Sequence, residues 1–237
     1  NATAAGDASN AIGDGASAFG SGSLAQGDNS TAVGMNSVAF GQNSAALGAG
    51  AQADGAASVA IGGTAVDEDG EPLLVDGSGN AIETSATSAG VAGTAIGASA
   101  EASGFAGSAV GVGASAVGDL SAAFGAVASA LGDQSTAMGY ASAATAADST
   151  AIGSYSIASG QNSVAVGGGA GLFNLFPTEA SGDFSTAIGG AAWATGYNST
   201  ALGNFSTAEG SDSVALGSDA VASANGSVAL GQGALAD

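Results

Sequence analysis

The sequence predicts an all-β protein, a parallel β-solenoid of 14-residue coils, and three observations lead there. Glycine recurs every seven residues: at 6, 13, 20, 27, 34, 41, 48, 55 and 62, then from 90 to 167 and from 182 to 231. Ala146 and Ala224 are the only breaks in that lattice. With each glycine numbered zero, positions −4, −2 and 0 are small and −3 and −1 are larger, the period of two that marks a strand. From Met138 onward the −1 residues alternate between apolar and polar, so two heptads close one coil.

Each part of the repeat has a physical reason. Ala fills −2 in all but one of 29 repeats, with Ser88 the exception. Small residues on one strand face let two sheets approach closely. Glycine at zero tolerates the positive φ of a tight turn. Turn formers follow it, among them Asp14, Asp28, Asn36, Asn43, Asp119, Asp183 and Asn198. A coiled coil is excluded: it needs apolar positions three and four apart with charged flanks, whereas here the bulky positions are two apart. About 14 coils are expected.

Two segments interrupt the lattice and divide the chain. Repeats cover 1–62, 90–167 and 182–237; insertions at 63–89 and 168–181 are expected to loop out of the solenoid. One apolar series survives both: Phe19, Val33, Leu47, Ile61, Ile96, Val110, Phe124, Met138, Ile152, Val166, Ile188, Leu202, Leu216 and Leu230. The other sheet is expected to show Thr, Ser and Glu. An outward apolar stripe of this length exceeds what a soluble monomer exposes, so the stripe predicts burial against further copies of the chain.

Composition narrows function. The chain has no Lys, Arg, His or Cys against 20 Asp and Glu, a formal charge of −20. Catalysts that need imidazole or thiol, and Cys/His zinc sites, are excluded. Nucleic acid and anionic membranes are not expected partners, because phosphate recognition uses cations. No enzyme activity is expected: the acids are scattered over turns and a solenoid face offers no cleft. The opening "NATAAGDASNAIGDG" lacks the basic and apolar regions of a signal peptide, and no run is long enough to span a bilayer. Any membrane anchor is expected outside this segment.

The phrases "NSVAF" (36–40), "SVAIG" (58–62), "NSVAVG" (162–167) and "GSVALG" (226–231), alternating with "SxAxG", resemble the YadA-like head repeats of trimeric autotransporter adhesins. The resemblance implies a left-handed parallel β-roll and a homotrimer packed through the apolar sheets, which makes the fourteen-residue series the trimer interface. It also implies display on a Gram-negative outer membrane. The expected function is attachment to a surface receptor, a matrix protein, an abiotic surface or other cells. Two alternatives use the same repeats: a phage tail-fibre or extracellular filament segment, and an ice-binding solenoid whose Thr rows (Thr136/Thr150 and Thr186/Thr200) recur 14 residues apart.

Candidate contact residues are few. Trp193 and Tyr197 fall on the sheet expected to face solvent and on its turn, and the second insertion gathers Phe173 and Phe176. Exposed aromatics are good recognition anchors. In the first insertion Asp67, Asp69, Glu71 and Asp76 are oxygen donors suited to weak Ca²⁺ binding, although Gly70 is misplaced for an EF-hand. The competing expectation there is a solvated hairpin, with "PLLV" and "NAI" flanking "DGSG". Apart from Ca²⁺, no cofactor is expected.

Overall fold

The computed structural model describes residues 1–67, 69–73, 87–169 and 176–237, in two compact units, Asn1–Leu120 and Ser121–Asp237. Both are all-β, and no helix occurs among the described residues. Each coil contributes a three-residue strand to a first sheet and a two-residue strand to a second. In the first unit the first sheet runs from Thr3–Ala5 to Ser108–Val110 and the second from Asn10–Ala11 to Ser115–Ala116, seven strands each. In the second unit they run from Ala122–Phe124 to Val228–Leu230 and from Ser129–Ala130 to Leu235–Ala236, eight strands each. Fifteen coils result.

All pairing within these sheets is parallel and in register at the repeat: Thr31↔Ala45, Ala32↔Ala46 and Val33↔Leu47 in one unit, Thr186↔Thr200, Ala187↔Ala201 and Ile188↔Leu202 in the other. Position −2 points inward and −3 and −1 point out, as in the strand Thr31–Val33, where Ala32 is buried and Val33 exposed. Every buried apolar residue among the described residues is alanine, and the largest fully buried side chains are Thr87 and Thr178. The interior is too thin for anything bigger.

The same phrase builds two different turns. The outgoing turn leads from the first sheet to the second, and the return turn leads back. In both, the residue two places after the glycine takes a positive φ, as at Asn36 (54°), Asn43 (58°), Tyr155 (59°) and Phe205 (55°). That is what position i+2 of a type II turn requires. The zero glycine itself has positive φ only on outgoing turns, for example Gly139 at 135°. On return turns it serves closeness alone: a Cβ at Gly132 would meet the carbonyl of Ala146. Both lattice exceptions, Ala146 and Ala224, stand on return turns. The expectation that glycine supplies the turn's positive φ therefore holds on one edge only.

Ser88 is not an exception to the alanine rule. Ala89 takes the inward slot, pairing with Ala53 and Ala102. Its coil omits the −1 residue, so Gly90 follows directly. The column admits nothing larger than a methyl group, and the chain shortens by one residue to keep it. The expected strands "PLLV" and "NAI" lie almost wholly outside the described residues. What is described is a tight loop upstream, where Val66 bridges Pro72 antiparallel.

Both insertions leave from outgoing turns, after Gly62 and after Gly167, and rejoin the second sheet at Ser88–Ala89 and Glu179–Ala180. Each re-entry is locked by a buried threonine. Thr87 Oγ1 donates to the carbonyl of Gly97 and Thr178 Oγ1 to that of Gly189, both at 2.6 Å.

Candidate functional site

Because the interior takes only Ala, Ser and Thr, the bulky residues are left outside. In the first unit Phe19, Val33, Leu47, Ile61, Ile96 and Val110 follow one another on the outward face of the first sheet. In the second unit Phe124, Met138, Ile152, Val166, Ile188, Leu202, Leu216 and Leu230 do the same. All fourteen are exposed or half-buried. Beside them runs the −3 column, in which Thr136 pairs with Thr150 and Thr186 with Thr200. This face is a continuous two-column apolar and hydroxyl surface within each unit.

The second sheet departs from the expected polar face. In the second unit its −1 residues include Thr145, Ser159, Ser181, Thr195 and Glu209, but Ile12, Phe40, Val117 and Leu131 are exposed at the same position nearer the N-terminus. The alternation from Met138 onward does not extend back to the first coils.

Of the four aromatic candidates, Phe173 lies outside the described residues and the other three do not form one group. Trp193 is half-buried on the second sheet and its indole Nε1 donates to the carbonyl of Pro177 at 2.9 Å. Phe176 sits 6.4 Å from the indole and packs edge-on to Phe205 at 6.0 Å. Tyr197 instead meets Phe184 at 5.7 Å on the return turns. Phe205, like Tyr140, Tyr155 and Phe184, is legible in the sequence as an aromatic on a turn; only the return of the second insertion to the second sheet brings it beside Phe176. A further pair, Tyr140 and Tyr155, stacks edge-on at 5.3 Å along outgoing turns.

In the acidic insertion, Asp67 Oδ1 accepts the backbone N–H groups of Asp69 and Glu71, both at 2.9 Å. Its carboxylate thus caps its own loop. Asp76 lies outside the described residues, and among the described ones no three acidic side chains are grouped to hold a metal.

A family model for the YadA head domain repeat (two copies) matches residues 11–37, 20–44, 39–65, 116–142, 130–156, 144–170, 180–206 and 208–234, more than half of the chain. The chain belongs to the YadA head family. The matched stretches carry the alternating three- and two-residue strands described above, and residues 66–115, which hold most of the first insertion and the coils that follow it, fall between two matches. A YadA head is an adhesin-type β-roll, structural rather than catalytic. No match is found among curated proteins.

Proposed function

We propose that this chain is the head of a trimeric surface adhesin, a non-enzymatic binding module that holds three copies of each surface feature on one scaffold. The observation that carries this reading is the first-sheet face: an alanine interior displaces the large apolar residues outward, and on the first sheet they line up as one unbroken column within each unit. Covering each of those side chains contributes on the order of 1 kcal/mol, and many act together to offset the cost of association. The family supports a left-handed roll, three copies joined through that face, and display outside a Gram-negative outer membrane. Attachment would then gain from avidity, each weak contact being repeated three times. Hosts, abiotic surfaces and other cells are the targets such a head serves.

Light scattering tests the assembly. The wild type should weigh three chains, and Ile152→Asp with Ile188→Asp should reduce it to one. A wild-type monomer would overturn the reading and leave the Thr columns open to solvent; thermal hysteresis would then test ice binding.

A further inference from the structure

The second unit carries an aromatic cluster that lies outside the apolar column of the first sheet. Phe176, Trp193 and Phe205 form a linked aromatic group on the second sheet and its outgoing edge. The indole is fixed by its bond to Pro177, and Phe176 and Phe205 remain 43% and 39% exposed. Two carboxylates border the group. Glu179 is the register partner of Trp193 on the neighbouring strand, with the same outward face. Asp219 follows Phe205 by one coil at the same turn position, its N–H bonded to the carbonyl of Asn204. Aromatic faces are electron-rich and attract cations, more strongly when carboxylates stand beside them. The chain has no Lys, Arg or His to answer either group, so its own side chains supply no cation.

We propose that Phe176, Trp193 and Phe205, flanked by Glu179 and Asp219, bind lysine and arginine side chains of a basic protein segment on the attached surface. This rests on the binding-module reading and names its partner class. Charge complementarity chooses the occupant: a chain of formal charge −20 steers basic partners toward it, and the aromatic faces select where they settle.

Trp193 is the single tryptophan, so indole fluorescence reports on this site alone. Titration of the trimer, or whatever oligomer the chain forms, with an arginine- and lysine-rich peptide should shift that emission saturably. Phe176→Ala with Phe205→Ala should weaken binding about tenfold, from loss of two cation–aromatic contacts. Glu179→Gln with Asp219→Asn should weaken it comparably, while Asp28→Asn with Asp54→Asn, which remove the same charge elsewhere, should not. Light scattering and circular dichroism on each variant separate loss of this site from loss of assembly or fold. Equal weakening by both carboxylate pairs would mean diffuse attraction and overturn the site. So would a response to a neutral oligosaccharide with none to the basic peptide.

Discussion

The outgoing and return sides of each coil are written in one phrase and folded in two ways. On the outgoing side the strand has three residues and glycine takes a positive φ; on the return side the strand has two and glycine does not. Serines divide likewise. Ser23, Ser37, Ser142, Ser156 and Ser206, which close outgoing turns, donate to the carbonyl of the turn's glycine at 2.8–3.0 Å. Nine serines that close return turns, Ser135 and Ser199 among them, have a buried hydroxyl without a partner among the described residues. Two on that side, Ser44 and Ser149, do bond their turn. A sequence repeat therefore fixes where a residue sits along the coil, and the side of the coil fixes what it does.

Four experiments would break or sharpen that contrast. The largest effect is expected between the two outward faces. Phe124 and Leu131 hold the same −1 position on opposite sheets, 38% and 46% exposed. Phe124→Asp should abolish the trimer, whereas Leu131→Asp should leave its mass unchanged; equal behaviour would mean that the first-sheet face is not the interface.

Next come the glycines. A Cβ at Gly139 would lie 2.6 Å from the backbone of Gly153, on a backbone already at positive φ. Gly139→Ala should cost about 3 kcal/mol in denaturant unfolding. At Gly132 a Cβ would meet the Ala146 carbonyl more closely still, but on a backbone without positive φ, and Ala146 and Ala224 show that a return turn can shift to admit a methyl group, so Gly132→Ala should cost less. Equal losses would erase the distinction between the edges.

Serines give a smaller difference, in sign as well as size. Ser142→Ala removes a hydrogen bond to Gly139 and should destabilise by about 1 kcal/mol. Ser135→Ala removes a buried hydroxyl with no partner and should be neutral or stabilising. Thermal melts of the two variants side by side would decide it.

The smallest effect is on the outgoing edge at Tyr155. Its hydrogen bond with Tyr140 holds its phenol above the ordinary tyrosine value, with desolvation a lesser cause. A raised folded-state value favours the neutral phenol, so this contribution is complete below the ordinary tyrosine range and lost as pH rises through the raised value. Tyr140→Phe should let Tyr155 ionise at lower pH, visible in an ultraviolet titration. An unchanged titration would show that the pair does not share a proton bond.

Much of this was readable in the residues. The glycine lattice, the Ala column and the alternating −1 series determine the strands, the coil length and the apolar face, because each is a period along the chain and needs no knowledge of neighbours. The family follows from the same phrases. Tertiary structure alone decided the rest. The inward slot kept Ala89 rather than Ser88 because the opposing sheet leaves room for one methyl group. The two edges diverged because the coil closes differently on each side. Phe205 joined Phe176 and Trp193 only because the second insertion returns to the second sheet beside them. Asp67, an apparent cation ligand, spent its carboxylate on its own loop. Periodicity is local and survives in one dimension; proximity between coils is set by how the chain stacks, and no single heptad carries it.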